Sequence, residues 1–196
     1  MAHETREFAE EVAKAIAYYC PPSPVVVNVG AEDGFEAAII EARVPGSTVY
    51  RFEPCNGDND TRPHWSNLVV GATDGPTTFY RMGDTALSST YNRTGSEPEE
   101  REQTRLDTWA RGIGLGHIHA LLIDTEGSTL DVLVGAGGLL GSVAFICAEV
   151  QETKLYGDNA LVGEVEDHLA KYNIVRVPGG YPGGQQENRF YARGPL

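Results

Sequence analysis

Four acidic residues stand at or near the ends of predicted strands, where carboxylates could bind hydroxyl groups or take protons from them. Glu53 follows the second predicted strand, Asp124 and Glu126 follow the fourth, and Glu149 lies near the end of the fifth. In open α/β sheets ligands bind beyond the carboxyl ends of the parallel strands. The position of Glu53 predicts a carboxylate that holds both hydroxyls of a ribose. The other three are candidates for a general base that deprotonates a hydroxyl acceptor.

Two of these carboxylates also have ordinary structural interpretations. Glu53 could be a solvated charge at a strand end, and Glu126 could interact with the positive N-terminal end of the following helix. The glycine turn upstream favours a functional role for Glu53. The position of Asp124, directly after a buried strand, favours contact with the transferred group or its acceptor. For Glu126 the sequence leaves both interpretations open.

A glycine turn precedes these residues in the chain. The run of β-branched residues over 25–29 predicts a buried strand, Gly30 and Gly34 form the turn, and residues 34–43 predict a helix. The dinucleotide fingerprint G-x-G-x-x-G is incomplete, because Glu32 and Phe35 stand at its second and third glycine positions. An acidic turn suits a cationic ligand without phosphate better than a dinucleotide. S-adenosylmethionine, which carries a sulfonium and an ammonium group, is such a ligand.

The elements that must position this edge alternate between strand and helix, which predicts a mainly parallel sheet with an antiparallel pair at its edge. Within the N-terminal segment 1–22, an amphipathic helix over 4–19 would cover one face of the sheet. The polar segment 55–64 predicts a loop or one short turn. An extra strand over 77–82 is expected to pair through a tight turn with the strand over 67–71.

Residues 83–102 contain no apolar period and include an acidic run. They predict a mobile loop or lid, with a disordered solvated linker as the equal alternative. No repeat or composition change divides the chain, so residues 1–196 are expected to form a single domain.

The composition argues against two classes of binding partner and indicates a cellular location. The net charge of −13 argues against a nucleic-acid substrate and against binding to an anionic membrane. Three cysteines without metal-ligand spacing, together with an acidic N-terminus that is unlike a signal peptide, favour a cytoplasmic location. No histidine and carboxylate spacing predicts a metal site, although clustered carboxylates could recruit Mg²⁺.

Several stretches together resemble the FkbM family of S-adenosylmethionine-dependent methyltransferases. They occur in the order Asn28 to Gly34, Arg51 to Pro54, Thr104 to Asp107, Leu122 to Gly127, Leu130 to Ala136 and Ile146 to Val150. The resemblance covers roughly residues 25–150. It implies the class I methyltransferase sandwich, a Rossmann-like fold with a mostly parallel seven-stranded sheet, an antiparallel edge and an extra hairpin strand.

The resemblance also implies roles for individual residues. Gly30 and its neighbours would hold the methionine part of the cofactor, Glu53 the ribose and Asp74 the adenine, with Asp124 between cofactor and acceptor. The full set implied for the cofactor is Asn28, Gly30, Ala31, Glu32, Gly34, Glu53, Pro54, Ala72, Asp74 and Asp124. Asn28 departs from the aspartate usual in the family, and the helix after the second strand is nearly absent.

The function expected from the resemblance is S-adenosylmethionine-dependent O-methylation of a hydroxyl on a sugar, a glycan or a small natural product. Two alternatives stay open: a cofactor-binding module of the same fold without activity, and an NAD-dependent oxidoreductase, which the incomplete glycine fingerprint disfavours. An exposed apolar N-terminal helix would also make a homodimer plausible.

Overall fold

The computed structural model describes residues 2–55 and 62–194, and within this part of the chain strands and helices alternate. The strands are β1 (Val25–Val29), β2 (Thr48–Phe52), β3 (Trp65–Ser66), β4 (Val69–Val70), β5 (Gly75–Arg81), β6 (Glu97–Thr104), β7 (Ala120–Ile123), β8 (Phe145–Gln151), β9 (Ile174–Tyr181) and β10 (Gln186–Arg193). The α-helices are α1 (Ala2–Tyr19), α2 (Phe35–Arg43), α3 (Leu106–Gly112), α4 (Thr129–Ala136) and α5 (Val162–Ala170). Short 3-10 helices cover Thr85–Leu87 and Gly137–Gly141.

The main sheet has seven strands in the order β3-β2-β1-β7-β8-β10-β9. The first five run parallel, and β10 is antiparallel to both of its neighbours. Buried apolar residues fill the central strands because helices cover both faces of the sheet. The class I methyltransferase architecture expected from the sequence, with its antiparallel edge, is confirmed.

Two hydrophobic clusters pack against the two faces of this sheet. Alternation along β1 sends Val26 toward the cluster that includes α1 and α2, and Val27 toward the cluster that includes α3, α4 and α5. Three layers result, with the carboxyl ends of β1, β2, β7 and β8 meeting at one edge. The ligand edge predicted from the sequence therefore forms between two rigid helical layers.

A second sheet of three strands has the order β4-β6-β5. The sequence prediction that the strand at 77–82 pairs directly with the preceding strand is wrong, because β6 lies between β4 and β5. The loop or lid predicted over 83–102 does not extend over residues 97–102, which belong to β6. This strand is held by main-chain pairing and has no apolar period, because a single one of its residues is buried.

Some predictions fall outside these observations. Most of the polar segment predicted as a loop, residues 56–61, lies outside the described residues. The mobility of residues 83–96 and the organisation of 1–196 as one domain stay predictions. Across residues 2–55 and 62–194, none of the helices combines the length and apolar character that a membrane crossing requires.

Candidate active site

The glycine turn after β1 packs directly against the end of β7. Gly30 has a φ of +81°, and its N–H donates to the Phe52 carbonyl of β2 over 2.9 Å. A Cβ atom at this position would lie 1.6 Å from the Asp124 carbonyl oxygen. Residue 30 must therefore be glycine for two reasons, its backbone conformation and the absence of space for a side chain.

Glu53 is held by the backbone at both carboxylate oxygens. Oε2 accepts the Glu32 N–H over 3.0 Å and Oε1 accepts the Cys55 N–H over 2.8 Å. The side chain is buried, and this burial raises its pKa although the two N–H donors act in the opposite direction. These contacts fix the plane of the carboxylate and leave its remaining lone pairs free to accept further hydrogen bonds.

A cavity of about 190 Å³ extends between the glycine turn, Glu53 and the loop after β7. One part of its wall is apolar and comes from β2, β4, β5 and the segments beside them: Phe52, Leu68, Val69, Val70, Phe79 and Leu87. Polar residues, among them Glu32, Asp124 and Glu126, also line it. The cavity therefore suits a ligand that combines an apolar group with a cationic or hydroxyl-bearing group.

A smaller cavity of about 60 Å³ shares Gly30, Glu32 and Asp124 with the first. Asn28 and Glu36 line it, together with Phe8 of α1. Burial is the main cause of the raised pKa of Glu36. Asp124 thus stands where the two cavities meet.

Three carboxylates come together at this junction. Carboxylate oxygens of Asp124, Glu126 and Glu149 lie within 4.8 Å of one another. The Asp124 side chain is accessible from the cavities while protein packs around it elsewhere, and burial followed by repulsion from Glu126 and Glu36 raises its pKa to about 7. Burial followed by repulsion from Asp124 raises the pKa of Glu149 well above its ordinary value. Two carboxylates this close do not readily ionise together, so ionisation of Asp124 disfavours ionisation of Glu149.

Protein donors surround this cluster. Arg93 Nη1 donates to Glu126 Oε2 over 3.0 Å, and the Tyr156 hydroxyl contacts the same oxygen. Gln151 Nε2 donates to Glu149 Oε2 over 2.9 Å, and Gln186 Nε2 contacts Glu149 Oε1. Because these donors occupy oxygens of Glu126 and Glu149, the geometry favours a hydrogen-bonded cluster over a metal centre at this position.

The sequence reasoning missed Arg93, Tyr156 and Gln186. Arg93 lies in the segment predicted to be irregular, and the other two are 30 residues or more from the carboxylates that they contact. No local pattern indicates such pairings. The polar character of these residues near predicted strand ends was the one available signal.

Most residues predicted for the cofactor do line one of the two cavities: Asn28, Gly30, Glu32, Glu53, Pro54 and Asp124. Ala31 is buried behind the turn and accepts the Gly34 N–H over 2.7 Å. Gly34 faces the Trp65 ring, which a Cβ atom there would approach to 2.8 Å.

Asp74 and Ala72 are not among the residues that line either cavity. The Asp74 carboxylate accepts the Arg105 N–H over 2.8 Å and the Thr108 hydroxyl over 2.9 Å, at the beginning of α3. The Ala72 carbonyl accepts a hydrogen bond from the Arg105 side chain over 2.8 Å. This geometry gives no support to an adenine contact by Asp74, whose carboxylate caps a helix instead.

Known proteins resemble this chain in sequence. It is 24% identical over 216 aligned residues to the 2-O-methyltransferase NoeI of Sinorhizobium fredii, and the alignment covers 91% of this chain and 88% of that protein.

Solved structures share the fold. One is magnesium protoporphyrin IX methyltransferase (ChlM) from Synechocystis PCC 6803, with a TM-score of 0.51, 9% identity and coverage of 97% of this chain and 82% of that one. Another is an O-methyltransferase family protein from Burkholderia thailandensis, with a TM-score of 0.54, 9% identity and coverage of 96% of this chain and 56% of that one.

The sequence profile described as "Methyltransferase FkbM domain" matches residues 28–174, which include the glycine turn, Glu53 and all three clustered carboxylates. S-adenosylmethionine is the methyl donor of this family. The match favours methyl transfer over the two alternatives raised by the sequence, an inactive module and an NAD-dependent oxidoreductase. The chain is therefore a methyltransferase and belongs to the FkbM family.

Proposed function

We propose that this methyltransferase acts on a hydroxyl oxygen of a sugar or another small neutral molecule, with Asp124 as the base. The observation that carries the proposal is the Asp124 carboxylate at the junction of the two cavities, with its pKa raised to about 7. A general base works best when its pKa lies near the working pH. Glu126 and Glu149 are poorer candidates because protein donors occupy their oxygens.

The residues around the larger cavity fit S-adenosylmethionine. Glu53 is fixed by two N–H donors and can accept both ribose hydroxyls, and the apolar wall at Phe52 and Val70 suits an adenine ring. The missing side chain at Gly30 allows close approach of a ligand to the backbone. Carboxylates at Glu32 and Glu36 favour a cationic methionine end.

The chemistry follows from this placement. S-adenosylmethionine, when bound, supplies a methyl group on a positively charged sulfur. The protein holds the acceptor oxygen in line and close, which removes much of the entropic cost of reaction. Asp124 accepts the hydroxyl proton, which its raised pKa favours.

Charge narrows the class of acceptor. Glu32, Glu36, Asp124, Glu126 and Glu149 surround the junction, so a phosphorylated or carboxylated acceptor would meet strong repulsion. A neutral glycoside hydroxyl avoids this repulsion. The likeness to NoeI, which is named a 2-O-methyltransferase, supports an oxygen acceptor.

Calorimetry tests the cofactor part of the proposal. We expect S-adenosylhomocysteine to bind and NAD not to bind. In Glu53→Gln we expect affinity for S-adenosylhomocysteine to fall about 10- to 100-fold, because one ribose acceptor is lost. Glu100→Gln, which makes the same change at an exposed position on β6, is the control. Equal affinities in wild type and Glu53→Gln would contradict the ribose contact.

Transfer of a labelled methyl group to neutral glycosides tests the acceptor. We expect product in the wild type and a rate about 10²- to 10⁴-fold lower in Asp124→Asn, with binding of S-adenosylhomocysteine retained. Sugar phosphates presented in parallel should be poorer acceptors. Transfer to amines or thiols in place of hydroxyls would reject an oxygen acceptor. A homodimer and a cytoplasmic location stay predictions from the sequence.

A further inference from the structure

Tyr156 and Gln186 connect two of the clustered carboxylates. The Tyr156 hydroxyl contacts Glu126 Oε2 and lies 2.7 Å from Gln186 Oε1. The Gln186 side-chain nitrogen contacts Glu149 Oε1. The Gln186 amide has its oxygen toward the phenol and its nitrogen toward the carboxylate, and the single phenol proton goes either to Glu126 or to this oxygen. A continuous chain of side chains therefore runs from Glu126 to Glu149.

Tyr156 is itself held on several sides. Its ring packs over Gly127, where an added Cβ atom would come within 2.6 Å of it. Its N–H donates to Asn159 Oδ1 over 2.9 Å, and Asn159 is fully buried. The Arg93 guanidinium carbon lies 4.8 Å from the centre of the same ring. The phenol oxygen therefore has one position, beside Glu126.

Holding Glu126 and Glu149 close to Asp124 opposes the repulsion between like charges. Without donors on their far sides these side chains would rotate away from Asp124 or move toward solvent. Tyr156 and Gln186 supply such donors from two segments outside the β7 loop. We infer that Tyr156 and Gln186 are positioning residues, which hold Glu126 and Glu149 against Asp124 and so maintain the base required by the proposed function.

The charged and titratable groups around Asp124 come from several elements. They are Glu126 of its own loop with its partner Arg93, Glu149 and Cys147 of β8, Glu36 of α2 and Glu32 of the glycine turn. Within this set, Glu126 is contacted by Tyr156 and Glu149 is contacted by Gln186. Withdrawal of Glu126 removes a repulsion that raises the pKa of Asp124, whereas withdrawal of Glu149 removes an interaction that lowers it. Loss of the two contacts should therefore move the pKa of Asp124 in opposite directions.

Carbon-13 NMR of side-chain carboxyl carbons in the free protein measures this directly. The Asp124 signal is assigned by its absence in Asp124→Asn. In Tyr156→Phe we expect the Asp124 titration midpoint to fall by about half a pH unit or more, and in Gln186→Leu we expect it to rise by a similar amount. In the double variant the two shifts should partly cancel.

Two controls make the same changes outside the network. Tyr181→Phe alters an exposed tyrosine, and Gln185→Leu alters the exposed neighbour of Gln186. Both should keep the wild-type midpoint. An unchanged midpoint in folded Tyr156→Phe and Gln186→Leu would overturn the inference. If Tyr156→Phe does not fold, Gln186→Leu decides the question.

Failure of this inference is distinguishable from failure of the proposed function. The NMR titration uses the free protein and needs neither cofactor nor acceptor. If S-adenosylhomocysteine binds and the midpoint does not move, the positioning role alone is rejected. If S-adenosylhomocysteine does not bind, the proposed function is rejected, while the midpoints still show whether the two residues hold the cluster.

Discussion

At the amino edge of the main sheet polar side chains bond to backbone groups, whereas at the carboxyl edge carboxylates face one another. His119 Nδ1 accepts the Val25 N–H over 2.9 Å, and Arg193 donates to three carbonyl groups, those of Leu140, Val143 and Tyr172. At the opposite edge carboxylate oxygens of Asp124, Glu126 and Glu149 lie within 4.8 Å of one another.

This difference separates stability from function. His119 and Arg193 at the amino edge have partners of complementary character, so loss of either side chain should cost stability and leave ligand binding intact. Repulsion at the carboxyl edge is a cost to the free protein that a cationic ligand would relieve. Variants at the two edges should therefore affect different measurements.

The largest effect is expected at Gly30. Gly30→Ala forces a Cβ atom to within 1.6 Å of the Asp124 carbonyl and imposes a φ of +81° on alanine. We expect a loss of about 2–4 kcal/mol in the free energy of unfolding, measured with urea, and at least ~100-fold weaker binding of S-adenosylhomocysteine.

A matched control separates the two causes at Gly30. Gly114 has a φ of +73°, but nothing lies within 4 Å of an added Cβ atom there. Gly114→Ala should therefore cost only about 1 kcal/mol of backbone strain and leave binding unchanged. Wild-type binding in Gly30→Ala would contradict the close packing of the turn against β7.

The next effect belongs to the amino edge. Arg193→Met removes hydrogen bonds of 2.7 Å to the Leu140 carbonyl, 2.9 Å to Val143 and 2.9 Å to Tyr172. We expect the free energy of unfolding to fall by about 2–3 kcal/mol, because carbonyl groups lose a charged donor. Calorimetry should give unchanged affinity for S-adenosylhomocysteine. The control Arg176→Met, at an exposed position on β9, should change neither the free energy of unfolding nor the affinity. Weakened binding in Arg193→Met would contradict the separation of stability at the amino edge from ligand binding at the carboxyl edge.

A third prediction concerns the pH dependence at the carboxyl edge. The pKa of Asp124 rises from 3.8 to about 7 on folding, so the folded state binds more protons in this range. Stability should therefore decrease as pH rises across it, by on the order of 1 kcal/mol because solvent in the cavities screens Asp124. Urea unfolding of Asp124→Asn should show a smaller decrease than wild type. The control Asp167→Asn, on the exposed side of α5, should lose stability with pH as the wild type does. An equal loss of stability in Asp124→Asn would contradict the assignment of this pH dependence to Asp124.

Local patterns in the sequence were sufficient for much of this edge. The β-branched run, Gly30 and the acidic residues after β2 and β7 each carry their information within a few residues. These signals predicted Glu53, the glycine turn and Asp124 as residues of one edge. The mainly parallel sheet with its antiparallel edge followed from the alternation of strands and helices together with the family resemblance.

Long-range pairings were beyond such reasoning. The polar strand β6 is held by backbone hydrogen bonds to β5. Its sequence therefore shows no apolar period from which the strand could be predicted. Asp74 seemed placed for a ligand, but its carboxylate caps α3. Tyr156 and Gln186 reach the cluster from distant segments, and only the folded chain brings them together.

The smallest effect is expected at His119 and has the opposite sign to that of Asp124. Burial, followed by repulsion from His117, lowers the pKa of His119 below 6.5, so the unfolded chain binds more protons just under that pH. Stability from His119 should therefore be present above pH 6.5 and lost on acidification, by less than ~0.5 kcal/mol.

His119→Asn keeps an oxygen that can accept the Val25 N–H but cannot gain a charge. Relative to wild type, this variant should become more stable under urea as the pH falls, whereas His64→Asn, at an exposed site, should not. If His119→Asn and wild type keep a constant difference at every pH, the imidazole at the amino edge does not resist protonation, and the contrast between the two edges rests on the carboxylates alone.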